Sequence, residues 1–235
     1  MKMKFRNTIF FLAFALFSCG ESKTQSQNTS SVDTVTNLSN NQATITNDES
    51  IVGIDCPPEG NASSEKLQAL NILKNRIIFP KQTDFNPNIS LVSLLANGDD
   101  RNRWSNETAG KIIGYVRDVK AGGVETTNCK SKEKDLRDTH IELVLNPMSN
   151  EKNECVIVEI TPRLRKIMSA KGIDWSTSMI RSKYLGRWIE VEGWMLFDFE
   201  HSNMAENTHP NNLKNWRGTS WEIHPVTNIK IADKH

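Results

Sequence analysis

Histidines and carboxylates recur at two-residue spacing in two places in the second half of the chain. The first group is Asp138, His140 and Glu142, and the second is Glu222 and His224. Residues two apart in a β-strand point to the same side of the sheet. Imidazole and carboxylate groups gathered on one side can ligate a divalent metal ion, or position a water for acid–base catalysis. The spacing therefore predicts a polar site, provided that the two strands adjoin.

Five stretches with alternating apolar and polar residues predict the strands that would position these groups. They lie within residues 111–119, 139–145, 155–160, 187–197 and 216–231. A helical segment from Arg163 to Tyr184, broken near Gly172, separates the third strand from the fourth. This order is that of the OB-fold. The prediction is a mainly β, α+β fold: a five-stranded OB-like barrel with a helix between strands three and four, preceded by N-terminal helices. A β-sandwich is the alternative, but five strands are few for it.

Alternation also divides each strand into core residues and outward residues. The predicted core positions of strands two and five are Ile141, Leu143, Leu145, Trp221, Ile223, Thr227, Ile229 and Ile231. Polar residues of neighbouring strands then face outward, and two arginines enter from adjoining turns. The candidate ligand-binding or metal-ligating residues are Asp138, His140, Glu142, Glu159, Arg163, Asp198, His201, Arg217, Glu222 and His224. The alternative is an ordinary solvated face, because antiparallel sheets commonly carry polar residues on one side.

The N-terminus has the pattern of an exported lipoprotein. A basic start is followed by the apolar run 9–17, which is too short to span a bilayer and fits a signal peptide over residues 1–18. Leu16 to Cys19 resembles the bacterial lipobox, which implies that Cys19 carries the acyl chains (palmitate among them) that hold the protein in the membrane. Gly20 lacks the aspartate associated with inner-membrane retention. The expected location is the cell envelope, anchored to the outer membrane on its periplasmic or surface side.

Composition divides the remainder into a tether and a folded part. Residues 19–50 are rich in Ser, Thr, Asn and Gln, and this composition predicts a disordered tether. Residues 51–108 are predicted to form an N-terminal helical and loop extension packed on the barrel, with a helix at 65–76. Residues 109–235 are assigned to the barrel.

Charge and cysteine content narrow the classes of partner. The chain has 29 Lys and Arg against 28 Asp and Glu, and removal of Lys2, Lys4 and Arg6 with the signal peptide leaves it slightly acidic. Nucleic-acid binding is not expected, because proteins that hold many phosphates are usually basic. Export permits a disulfide. Cys56 with Cys129 and Cys129 with Cys155 are both open pairings.

Several motifs in the second half of the chain resemble those of uncharacterised bacterial exported lipoproteins with an OB-fold-like C-terminal domain. They are Asn128-Cys129, 138–141, 158–163, 193–201 and 217–227. The resemblance implies the fold and brings no established activity. Asp138-Thr139 with Glu142 and an arginine also resembles the calcium and phosphate site of secreted thermonucleases. The chain departs from that pattern at His140 and is not basic.

Two functional hypotheses follow. The first is a binding module that holds an envelope ligand, such as a sugar or a peptide, on the barrel face with Trp188, Trp194 and Trp221. The second is a metal-dependent, nuclease-like hydrolase, with a divalent metal as its cofactor. Its ligands would come from His140, His201, His224, Asp138, Asp198 and Glu222. The first is preferred, since the residues form no complete catalytic arrangement, and whether the protein is an enzyme is left open.

Overall fold

The computed structural model describes residues 55–232, and these form a barrel with four helices. The signal peptide, Cys19, the tether and His235 lie outside the described residues. The strands are β1 (Ala109–Ala121), β2 (Thr139–Val144), β3 (Cys155–Ile160), β4 (Trp188–Phe197) and β5 (Trp221–Ile231). The helices are α1 (Glu65–Lys74), α2 (Leu91–Leu94), α3 (Pro162–Ala170) and α4 (Thr177–Tyr184).

The five strands close into a barrel in the order β1-β2-β3-β5-β4. All neighbouring strands are antiparallel except β3 and β5, which are parallel. Helices α3 and α4 lie between β3 and β4 in the chain, where the predicted order requires a helix. The predicted OB-like barrel is confirmed.

Alternating residues of the strands fill the barrel, and α2, α3 and α4 add apolar side chains to the same core. In β2, Ile141 and Leu143 are buried as predicted, because their side chains point inward. The prediction for Leu145 is wrong. It lies one residue past the end of β2 and is 42% exposed.

Strand β5 does not keep a single alternation along its length. Val226 packs in the core, whereas Thr227, predicted to do so, donates a hydrogen bond to the carbonyl of Glu192. The pairing of β4 with β5 shifts register around Gly193, and this shift changes which side chains face inward. A Cβ at Gly193 would lie 2.3 Å from the carbonyl oxygen of Pro225, so the close approach of the strands requires glycine.

Residues 55–108 pack against the barrel through α1, α2 and a disulfide. The disulfide joins Cys56 to Cys129, which decides between the two pairings left open, and Cys155 is a buried free thiol. Asn71 of α1 and Asn75, the residue after α1, donate hydrogen bonds to the 3-10 turn Thr126–Asn128 just before Cys129. These hydrogen bonds hold the turn against the C-terminal end of α1. Within residues 55–232, no helix has the length and apolar character required to cross a membrane.

Candidate functional site

Charged side chains from the outside of β2, β3 and β5, from α1 and from the neighbouring connections meet beneath α1 and the Thr126–Asn128 turn. We call this set the charged layer; its members are Lys74, Glu125, Asp138, His140, Glu159, Asp198, His201, Arg217, Glu222 and His224. Glu222 and His224 are 0% exposed although they are outward residues of β5, and Arg217, in the connection before β5, is also 0% exposed. Because burying charges is costly unless they are paired, the contacts within the layer decide whether it is tolerated.

The two-residue spacing on β5 places Glu222 between a cation and an imidazole. Glu222 Oε1 lies 2.6 Å from a guanidinium nitrogen of Arg217, and Glu222 Oε2 lies 3.1 Å from His224 Nδ1. Burial alone would raise the pKa of the Glu222 carboxyl, but the charge of Arg217 and the interactions with His224 together outweigh burial and lower that pKa to about 2. Glu222 is therefore a carboxylate at every physiological pH.

Glu159 of β3 links histidines from the strands on either side of it. His140 lies opposite Glu159 in the β2–β3 ladder, and its Nε2 is 2.8 Å from Glu159 Oε1. The other carboxylate oxygen, Oε2, is 3.7 Å from His224 Nδ1. Burial lowers the pKa of His140, yet the charge and hydrogen bond of Glu159, together with the charges of Glu222 and Glu125, outweigh burial and raise it to about 9. The pKa of His224 is raised against burial in the same way, chiefly by Glu159.

Asp198, at the end of β4, collects three cationic groups. His201 Nδ1 is 2.6 Å from Asp198 Oδ2, Lys74 Nζ is 3.6 Å from it, and Arg217 is 3.9 Å from it. Lys74 also contacts Glu125 at 2.9 Å. Burial would raise the pKa of Asp198, but Lys74 and its other partners hold that pKa well below its usual range. This end of the layer is electrostatically well paired.

The opposite end of the layer contains donor atoms that are not used. One side-chain donor atom from each of Asp138, Glu159 and His224 lies within 4.8 Å of those of the other two. Asn128 donates a hydrogen bond of 2.8 Å to Asp138 Oδ2. Among residues 55–232, however, Asp138 Oδ1, Glu159 Oε2 and His224 Nε2 have no hydrogen-bond partner. Burial raises the pKa of Asp138 to about 6. Two carboxylates and one imidazole in such proximity are a donor set for a metal ion.

The structure brings eight of the ten predicted residues into the charged layer and places the other two elsewhere. Glu142 contacts Arg117 and Lys120 on the β1 side of the barrel. Arg163, on α3, donates to the carbonyl of Cys56. The alternation was correct for Glu142, which does point outward, but it does not indicate which outward residues adjoin.

Three residues that position the site were not predicted. Lys74 and Glu125 supply charges, and Asn128 orients Asp138. Lys74 has a recognisable signal: it follows Leu70 by four residues, so a lysine lies on the buried face of α1. Glu125 and Asn128 lie in an irregular connection, where no periodicity marks a buried residue.

The three tryptophans proposed as a ligand platform serve separate packing roles. Trp221 is in the core, and its indole donates to the carbonyl of Asp100. Trp194 donates to the carbonyl of Ile78 and stacks with Arg76. Trp188 packs edge-on against Tyr115. The charged layer, rather than an aromatic surface, is thus the best candidate site.

A cavity of about 480 Å³ lies beside the layer, next to the disulfide. Its lining includes both cysteines of the disulfide, Arg163 and Asn128. Asn128 therefore has contact with the cavity and also with Asp138.

No model of a known protein family matches the chain, and no curated protein has significant sequence similarity to it. The site must accordingly be interpreted from its own geometry.

Proposed function

We propose that the protein is a lipid-anchored envelope protein, similar to the exported lipoproteins that its motifs resemble. In this proposal its OB-like barrel binds a small cationic ligand in the charged layer. The observation that carries the proposal is the concentration of five carboxylates in the layer: Glu125, Asp138, Glu159, Asp198 and Glu222. Lys74 and Arg217 pair directly with three of them. Protons on His140, His201 and His224, whose pKa values are all raised, balance the others, and a small cation that displaces these protons would take over their role.

The burial of the layer limits the size of the ligand. Glu222 and His224 are 0% exposed, so a sugar chain or a peptide would have to displace α1 to reach them. A metal ion or a compact amine would enter from the neighbouring cavity past Asn128, which lines that cavity and contacts Asp138. The site therefore supports a small cation better than the sugar or peptide suggested by the tryptophans.

The proposed location rests on the N-terminal sequence. Acyl chains on Cys19 would hold the protein to the outer membrane, and the 19–50 tether would separate the barrel from the lipid. Labelling cells with a fatty-acid probe tests this location. The wild type is expected to incorporate the probe and to sediment with membranes, and Cys19→Ser to do neither. Equal labelling of the two proteins would contradict the anchor.

Thermal unfolding of the purified full chain with a panel of ligands tests the binding function. Metal ions and small amines should raise the melting temperature in a concentration-dependent way, because a ligand that binds only the folded state stabilises it. Neutral sugars and uncharged peptides should not. Glu222→Gln, which removes one charge from the layer, should weaken the effect, whereas Glu192→Gln, on β4 and outside the layer, should not. Stabilisation by sugars alone would overturn the proposal.

A metal-dependent hydrolase is the second candidate. The observation in its favour is the donor set of Asp138, Glu159 and His224, since three protein ligands leave further coordination positions for water and substrate. A screen of ester, phosphodiester and amide substrates with added metal would test it. Activity lost in Asp138→Asn would favour the enzyme over the binding module.

A further inference from the structure

We infer that Asp138, Glu159 and His224 form a site for a single divalent transition-metal ion of the Zn²⁺ or Mn²⁺ class. This inference rests on the proposed function and makes its ligand specific. The residues come from the segment before β2, from β3 and from β5, so the site exists only when the barrel is closed.

The distances are close to those of a metal centre. Ligands of one zinc ion lie about 2.0–2.2 Å from the metal in a tetrahedral arrangement, so two of them are about 3.3–3.6 Å apart. One donor atom of each of the three residues lies within 4.8 Å of those of the other two. Side-chain movements of up to about 1.5 Å would bring them to ligating distance.

Three of the atoms that could ligate a metal make no hydrogen bond within residues 55–232, although Glu159 Oε2 is also 3.7 Å from His224 Nδ1. Asp138 Oδ1, Glu159 Oε2 and His224 Nε2 have no hydrogen-bond partner among the described residues, and the three residues are at most 3% exposed. Buried polar atoms without partners are rare and call for an explanation. A cation that accepts lone pairs from all three would satisfy them together.

Neighbouring side chains orient these ligands as the outer shell of a metal centre does. Glu222 Oε2 lies 3.1 Å from His224 Nδ1, which favours the tautomer with a lone pair on Nε2, and Arg217 holds Glu222 in place. Asn128 engages Oδ2 of Asp138 and leaves Oδ1 for the metal. His140 engages Oε1 of Glu159 and leaves Oε2. Each ligand is thus held through the side-chain atom that does not bind the metal.

The donor types favour a transition metal over calcium or magnesium. Ca²⁺ and Mg²⁺ are bound by oxygen ligands, Ca²⁺ by six to eight of them. An imidazole combined with two carboxylates is typical of Zn²⁺, Mn²⁺ and similar ions. Water would complete the coordination, entering from the cavity beside Asn128.

Metal analysis and calorimetry of the untagged full chain test the site. After treatment with a chelator, Zn²⁺, Mn²⁺, Ca²⁺ and Mg²⁺ are titrated separately. We expect one Zn²⁺ or Mn²⁺ per chain and at least 100-fold weaker binding of Ca²⁺ and Mg²⁺. Asp138→Asn should weaken binding at least 100-fold, and Glu222→Gln 10- to 100-fold, the usual effect of losing an orienting partner. Glu192→Gln, outside the layer, should change it less than twofold.

X-ray absorption of the Zn²⁺-loaded wild type tests the ligands even where a variant fails to fold. The expected shell has one imidazole, oxygen ligands and no sulfur; two imidazoles or any sulfur would overturn the assignment. Failure to bind any of the four ions would also overturn it. If small amines stabilise the protein while Zn²⁺ and Mn²⁺ do not bind, the metal site is wrong and the proposed cation-binding function stands. If neither class binds, both are wrong.

Discussion

Two faces of the same barrel carry the same kinds of side chain under opposite conditions. The charged layer is buried beneath α1, whereas the exposed face, made of Lys111, Glu190, Glu192, Asn228 and Lys230, is open to solvent. The lysines of the exposed face are 52% and 59% exposed, and Arg217 in the charged layer is 0% exposed. Both faces include outward positions of regular strands. The difference between them comes from the segment that covers one and not the other.

The segment that covers the charged layer changes how much an ion pair contributes to stability. On the exposed face, water screens each pair and its net contribution is about 0–1 kcal/mol. In the charged layer, removal of one partner leaves a charge buried without compensation. Exposed pairs can therefore be exchanged freely, while the buried set must be satisfied together, by protein groups, protons or a bound ion.

Arg217→Ala should give the largest difference between the two faces. It leaves Glu222 without its cation and should lower the free energy of unfolding by about 3–5 kcal/mol. Lys111→Ala on the exposed face is the matched control and should cost at most about 0.5 kcal/mol. Urea unfolding measures both. Similar losses in the two variants would show that burial does not distinguish the faces.

Removal of the disulfide should weaken the cover and leave the exposed face unchanged. Cys56→Ala with Cys129→Ala opens a link between residues 73 apart in sequence. The expected loss is about 2–4 kcal/mol, because the unfolded chain gains freedom. Hydrogen exchange should accelerate in α1 and the Thr126–Asn128 turn, and not in β1 or β4. Uniform acceleration throughout the barrel would contradict a local cover.

His201→Gln should make stability less dependent on pH. Burial lowers the pKa of His201, but the hydrogen bond to Asp198 and the charges of Asp198 and Glu222 together outweigh burial and raise that pKa above its ordinary value. Because the pKa of His201 is higher in the folded state than the unfolded value of about 6.5, its protonation stabilises the folded protein. This stabilisation is complete below the unfolded pKa and is lost as pH rises through the folded pKa. The variant should lose on the order of 1 kcal/mol at pH 5.5 and less at high pH. His209→Gln, at an exposed position, is the control and should not change the pH dependence. An equal loss of stability in His201→Gln at both pH values would contradict the prediction.

The smallest effect is expected for a pair on the exposed face. Lys230 Nζ lies 2.9 Å from Glu190 Oε1. A double-mutant cycle with Lys230→Ala and Glu190→Ala should give a coupling energy of about 0.2–1 kcal/mol, because solvent screens the pair. Added salt should reduce the coupling further. A coupling of several kcal/mol would place this pair in the same class as the charged layer.

The barrel could be predicted well because the local periodicity of apolar residues marks each strand and helix, and the order of these elements defines the fold. The helix between β3 and β4 and the outward positions of His140, Glu159, Glu222 and His224 all follow from it. The cover could not be predicted in this way. Lys74 and Glu125 are 51 residues apart and meet only after folding. Glu142 points outward as predicted, but it faces Arg117 and Lys120 of β1 and not the charged layer. Thr227 was misplaced because a register shift in one strand depends on its neighbour.

The disulfide also determines how a mechanical load would pass through the molecule. A pull on the chain ahead of residue 55 reaches Cys56 within two residues and crosses to Cys129. Helix α1 lies inside the closed loop and does not bear the force, so it cannot be peeled from the barrel by tension on the N-terminal side. The load is delivered instead to the segment beside Asn128, one hydrogen bond away from Asp138.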